Sequence, residues 1–269
     1  MKLRLEMILK YVSCTLIFIC AASHFSLAQA DSSYLENIRG ELRKTWPQSR
    51  TINLVFHGHS VPSGYFVTPG VRKFESYPHL ALVKIKDEYP HAVINSITTS
   101  MGGEHAEDGE KRFAEEVLTM RPSVLFIDYA LNDRSIGLER SKAAWQKMID
   151  LVLAHRFVSH DGQQHTIKVV LMTPTPGTGE DILSDDTPLA QHAQQIRELA
   201  KQNGVGLVDS YALFKEIAER EPLSSYMAQS NHVNAKGHQV VADAIARLFL
   251  QEEKVASESY QKNIEFIRK

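Results

Sequence analysis

Five short apolar runs, separated by stretches with helical spacing, set the pattern of the chain. The runs are residues 51–56 (TINLVF), 92–97 (AVINSI), 123–129 (SVLFIDY), 167–172 (IKVVLM) and 206–208 (GLV). They are short, β-branched or aromatic, and largely continuous, which predicts buried strands covered on both faces. Helical spacing marks residues 78–89, 107–120, 138–157, 188–202 and 234–251, with a lead-in over 31–48. Arg121-Pro122 stops the second of these helices, and Asn203-Gly204 closes the fourth. Strands alternating with helices predict a parallel five-stranded sheet in a three-layer α/β/α sandwich. No repeat, low-complexity block or linker interrupts the pattern, so one domain is expected over residues 31–252. Sites in such sheets form at the C-terminal ends of the strands.

Residues 1–30 read differently. Lys2, Arg4 and Lys10 precede an apolar stretch over 11–22, and Ala28-Gln29-Ala30 follows. A charged start, a short apolar core and small residues before a cut predict a secretory signal cleaved after Ala30. The apolar run is too short for a comfortable bilayer span. Bulky Ile19 before Cys20 argues against a lipoprotein site. Residues 253–269 are highly charged and read as a solvated helix or a frayed tail.

Composition adds a few exclusions. The 269 residues are 43% hydrophobic and 23% charged, with a formal charge of −2, which excludes a disordered chain. Residues 1–30 hold three of the 30 basic and one of the 32 acidic residues, so the remainder carries −4. That balance argues against nucleic acid as a partner. Both cysteines, Cys14 and Cys20, lie in the signal, so disulfides and thiolate sites are not expected beyond it. A mildly acidic exported chain suits the periplasm or a secreted location, with no membrane contact after cleavage.

The strand ends carry the candidate chemistry. His57-Gly58-His59-Ser60 follows the first strand, and Thr98 to Gly103 the second. Ala130-Leu131-Asn132-Asp133 follows the third, and Ser230-Asn231-His232-Val233-Asn234 precedes the last helix. Singly, these read as a helix cap, a turn, an Asx turn and a surface histidine. Together they supply a hydroxyl, a glycine backbone, an amide and an imidazole, the parts of acyl transfer by a serine nucleophile.

In this order the blocks resemble the SGNH hydrolases, or GDSL-type esterases and lipases, from about residue 52 to 248. Gly58-His59-Ser60 is similar to the first block, with His59 in place of the usual Asp. Gly103 matches the second-block glycine, and Ala130-Leu131-Asn132-Asp133 the third block with Ala130 for glycine. Gln229-Ser230-Asn231-His232 matches the last block, with Gln229 where an Asp is usual.

The resemblance implies a flavodoxin-like sandwich and a carboxylic ester hydrolase without cofactor or metal. It implies Ser60 as nucleophile and His232 as base, with an oxyanion hole from the Ser60 and Gly103 backbone N–H groups and the Asn132 side chain. Support for His232 is left to Gln229, to a backbone carbonyl, or to a carboxylate from another loop such as Asp209 or Glu104. Asp209 also reads as a helix cap. His59 either holds the nucleophile loop or contacts substrate in the pocket. His57 reads as structural. Residues 62–77 read as a substrate wall or a packed loop. The expected substrates are small-molecule or glycan esters, with short acetyl groups on carbohydrate favoured. Two rivals remain at this point: a metal-dependent hydrolase using His57 and His59 with His232 and Asp209, and a non-catalytic glycan-binding protein.

Overall fold

A computed structural model describes residues 32–158 and 162–250. The expected signal segment and charged tail lie outside the described residues. The strands are β1 (Thr51–Gly58), β2 (Val93–Thr98), β3 (Val124–Asp128), β4 (Arg156–Val158), β5 (Gln164–Thr166), β6 (Lys168–Met172), β7 (Gly206–Val208), β8 (Met227–Gln229) and β9 (His232–Val233). The helices are α1 (Glu36–Arg43), α2 (Ser60–Ser63), α3 (Tyr77–Glu88), α4 (Ala106–Lys111), α5 (Phe113–Glu116), α6 (Ala130–Asp133), α7 (Leu138–Ala154), α8 (Pro188–Asn203), α9 (Ser210–Ala218) and α10 (Ala235–Arg247).

Five strands form one parallel sheet in the order β2-β1-β3-β6-β7. Side chains alternate between its faces, and along β1, β3 and β6 both faces are largely buried. Ile52, Leu54, Phe56, Phe126, Val170 and Met172 pack in one core with residues of α1, α3, α9 and α10. Val55, Leu125, Ile127, Val169 and Leu171 pack in a second core with α5, α7 and α8. This is the expected α/β/α sandwich, and the five apolar runs are its five strands.

Some element boundaries differ from expectation. The helix expected over 107–120 divides into α4, α5 and a 3₁₀ turn at Leu118–Met120. Arg112 ends α4 and turns back to Glu104, with Nε 2.9 Å from Oε1. The helix expected over 138–157 stops at Ala154, and β4 pairs with β5 in an antiparallel hairpin. There the Phe157 ring meets His165 across the strands at 5.4 Å, a pairing a helix would not allow. The short helices α2 and α6, and the β8–β9 hairpin, fall where the apolar pattern predicts nothing. Each lies next to a candidate site residue.

Candidate active site

β1 ends at Gly58, and the backbone turns at once into α2, which begins with Ser60. Gly58 is required by close approach: a Cβ there would lie 2.3 Å from the Asp128 carbonyl oxygen on β3. His59 caps α2, its Nδ1 accepting from the Val61 N–H at 3.2 Å. The proton is therefore on Nε2, which faces Asp128 Oδ1 at 3.4 Å. Tyr77 Oη donates to the other Asp128 oxygen at 2.9 Å. His59 is fully buried in this network. Of its two expected roles, holding the loop fits; contact with substrate in the pocket does not, because no part of the ring reaches solvent.

The β8–β9 hairpin brings His232 from 172 residues away to the turn that carries Ser60. Its Nε2 lies 2.9 Å from Ser60 Oγ. Its Nδ1 lies 2.9 Å from the carbonyl oxygen of Phe66. A carbonyl only accepts, so Nδ1 carries the proton and Nε2 is left as the acceptor for the serine hydroxyl. Burial lowers the His232 pKa from its ordinary value of 6.5, against the Phe66 carbonyl, which raises it; His59 lowers it further.

The Phe66 carbonyl is itself fixed. The Phe66 N–H donates to the Gly70 carbonyl at 3.1 Å. Its ring stacks on buried His238 at 4.9 Å, and Arg72 covers it at 5.1 Å. Gln229 does not reach the imidazole as a third member. Its Oε1 instead accepts from the Thr68 N–H at 2.8 Å and pins the loop that carries Phe66. Of the expected supports for His232, the backbone carbonyl is the one present. Glu104 is turned to Arg112, with 2.5 Å from Oε2 to Nη2. Asp209 accepts from Arg197 Nε at 2.6 Å and caps α9 through the Ala212 N–H.

The loop after β2 runs beside the turn that carries Ser60. The Met101 N–H donates to the Gly58 carbonyl at 3.0 Å, and Ser63 Oγ to the Ser100 carbonyl at 3.0 Å. Gly103 has φ of 85°, a left-handed conformation that suits glycine. Asn132 Nδ2 donates to the Glu104 carbonyl at 2.8 Å, which ties α6 to this loop. Neither the Ser60 nor the Gly103 backbone N–H is engaged by a protein acceptor among the described residues. Asp133 lies behind Asn132, buried, accepting from the Ala106 N–H, Ser141 Oγ and Trp145 Nε1, each at 2.7 Å. It anchors α6 against α4 and α7.

Sequence reasoning missed Phe66, Asp128 and Tyr77. A backbone acceptor such as the Phe66 carbonyl has no residue-type signature. Asp128 was visible only as one polar residue in the apolar run SVLFIDY.

The residues of the metal reading are dispersed. His57 is buried between Thr99 Oγ1 at 2.9 Å, the Gly109 carbonyl at 3.2 Å and Tyr129 Oη at 3.1 Å. Among the described residues no three His, Cys, Asp or Glu side chains gather closely enough to hold a metal ion.

Comparisons with known proteins bear on the fold and the family. Acetylxylan esterase Axe2 from Geobacillus stearothermophilus superposes with a TM-score of 0.61 at 18% identity, over 75% of this chain and 95% of its own. A two-domain esterase, CEX, active on acetylated mannans, gives 0.62 at 16% identity over 83% of this chain and 58% of its own. The uncharacterized lipoprotein YqeF of Bacillus subtilis (strain 168) is 25% identical, over 56% of this chain and 72% of its own. At these identities the solved structures establish the shared fold. The GDSL-like lipase/acylhydrolase family model matches residues 56–240, from the end of β1 into α10. The chain therefore belongs to the GDSL-like lipase/acylhydrolase family, and it is a carboxylic ester hydrolase.

Proposed function

We propose that the chain is a serine esterase that removes short acyl groups, above all acetyl, from carbohydrates. The observation that carries the reading is the 2.9 Å contact between Ser60 Oγ and His232 Nε2, with His232 Nδ1 held by a carbonyl. Ser60 Oγ attacks the ester carbonyl carbon while its proton passes to His232 Nε2. The tetrahedral oxyanion is met by the Ser60 and Gly103 N–H groups and by Asn132. Asn132 Nδ2 has two hydrogens; the Glu104 carbonyl takes one and aims the other. The imidazolium gives its proton to the departing alkoxide, which leaves an acyl-serine. Water, deprotonated by the same imidazole, then releases the carboxylic acid and restores Ser60.

The preference for acetylated carbohydrate is supported by the similar esterases, one an acetylxylan esterase and one active on acetylated mannans. A non-catalytic glycan-binding role would not need an imidazole poised on a serine hydroxyl. We also infer export from the pattern of residues 1–30; among the described residues no helix is long and apolar enough to cross a membrane. The expected substrates remain small-molecule or glycan esters, with no nucleic-acid partner.

Two measurements test this reading. In a chain-length series of p-nitrophenyl esters, kcat/KM should be highest for acetate; a maximum at C8 or longer would overturn the short-acyl assignment. The enzyme should also release acetate from acetylated glycans, with Ser60→Ala as the inactive control.

The pH profile tests the support of His232. Its neutral form is the base, so kcat/KM should rise with pH through a midpoint below 6.5. In Gln229→Ala the loop loses one hydrogen bond but His232 keeps its carbonyl. The midpoint should stay below 6.5, and the rate should fall by about tenfold or less. A fall of about 10⁴-fold, as when a triad loses its carboxylate, would mean Gln229 orients the imidazole directly.

A further inference from the structure

A cleft of about 530 Å³ opens beside the reacting centre, with Gly103 and Asn132 in its wall. An acetyl group fills a small part of such a volume, which lies in the range of sites for whole small molecules. Arg134, Ser135, Glu180 and Pro188 line the rest.

The two charged side chains are held by backbone as well as by each other. Arg134 Nε donates to the Leu131 carbonyl at 2.8 Å, and its Nη1 to Glu180. The other Glu180 oxygen accepts from the Leu189 N–H at 2.9 Å, in the first turn of α8. Burial pushes the Glu180 carboxyl up, but the Leu189 N–H, Arg134 and Thr187 outweigh it, so its pKa lies below the ordinary range. Both side chains still reach solvent, Arg134 at 30% and Glu180 at 15%. The same loop is tied to the histidine hairpin, since the Thr178 N–H donates to the Ser230 carbonyl at 2.7 Å.

We propose that this cleft is the subsite for the alcohol portion of the substrate, and that it takes a neutral, hydroxyl-bearing sugar ring with the Arg134–Glu180 pair as its polar floor. The inference rests on the serine-esterase reading above and extends it to the leaving group. Vicinal hydroxyls can donate to Glu180 and accept from Arg134 without moving either group, so little ordering cost attends binding. Pro188, exposed in the lining, supplies apolar surface for the C–H face of the ring. A long hydrocarbon chain laid over the pair would strip water from two charges without replacing their hydrogen bonds. A uronate carboxylate would face Glu180, while Arg134, the cation that could balance it, is already paired.

The test uses Arg134→Gln and Glu180→Gln in the full chain. Glutamine at 180 keeps an acceptor for the Leu189 N–H, which guards the start of α8. Wild type and variants are assayed on acetylated xylo-oligosaccharides, acetylated oligogalacturonates and p-nitrophenyl acetate. Each variant should lower the ratio of kcat/KM on the xylo-oligosaccharide to that on p-nitrophenyl acetate by about tenfold or more, through KM. Wild type should favour the neutral oligosaccharide over the uronate. Unchanged ratios in both variants, or a wild-type preference for the uronate, would overturn the subsite while p-nitrophenyl acetate hydrolysis leaves the esterase reading standing. Failure of wild type to hydrolyse p-nitrophenyl acetate would overturn both.

Discussion

Ser60→Ala is expected to lower kcat on p-nitrophenyl acetate by about 10⁴–10⁶-fold, His232→Ala by a similar factor, and the double variant by no more than either alone. The non-additivity follows from the geometry. The hydroxyl is a weak nucleophile until the imidazole takes its proton, and without the hydroxyl the imidazole has no side-chain nucleophile beside it to activate. What survives is the rate supplied by the oxyanion donors and by binding. The lower end of the range applies because His232 leans on a carbonyl. The Phe66 oxygen fixes the correct tautomer but carries only a partial charge, so it stabilises the imidazolium less than a carboxylate would. Steady-state kinetics on the two single variants and the double check this, with unfolding midpoints to show that all remain folded. Losses that multiply in the double variant would mean that the two residues do not act as a unit.

Acidification should unfold the protein well before its surface carboxylates are all protonated. Three buried imidazoles outside the Ser60–His232 pair have lowered pKa values: His57, His192 and His238. Burial, with a further push from Arg112, lowers His57 to about 3. Burial, with Arg134, lowers His192 to about 4. Burial, with His232, lowers His238 to about 3. In the unfolded chain each takes up a proton near pH 6.5. Between 6.5 and these folded values the unfolded state binds more protons, so stability falls as pH falls. Each group contributes a slope of about 1.4 kcal/mol per pH unit, and three together cost on the order of 5 kcal/mol by pH 5. That is comparable with the whole stability of a typical domain. Asp133 acts the other way. Burial raises its pKa, so the folded state holds a proton that the unfolded state releases. One group in that direction does not offset three. Urea unfolding from pH 7.5 to 5 should show a steep loss of midpoint below pH 6.5; a flat profile would mean that these imidazoles are protonated in the folded state. The catalytic pH profile must accordingly be read above the unfolding limb.

The sheet was legible because its central strands β1, β3 and β6 are largely dry on both faces. Runs such as TINLVF and IKVVLM admit few alternatives once helical stretches separate them. Ser60 and His232 were legible as candidate residue types, although only the fold brings residues 60 and 232 together. Elements of about one turn were not legible. α2 and α6 have four residues each, too few for a helical period to register. The split at Arg112 depends on its ion pair with Glu104, a contact that no window of hydropathy contains. The support of His232 was hidden for a related reason. Reading side chains directs attention to Gln229, whereas the acceptor is a main-chain oxygen on a loop 166 residues away. His59 illustrates the same limit: its residue type fits both a pocket and a scaffold, and its burial against Asp128 is visible only in the fold.

The most direct test of the Ser60–His232 pair is covalent labelling with a p-nitrophenyl alkylphosphonate, followed by intact-mass measurement and peptide mapping. The account predicts a single adduct on Ser60 that forms readily in wild type and is strongly slowed in His232→Ala. No adduct on folded wild-type protein, or an adduct on a different serine, would contradict it.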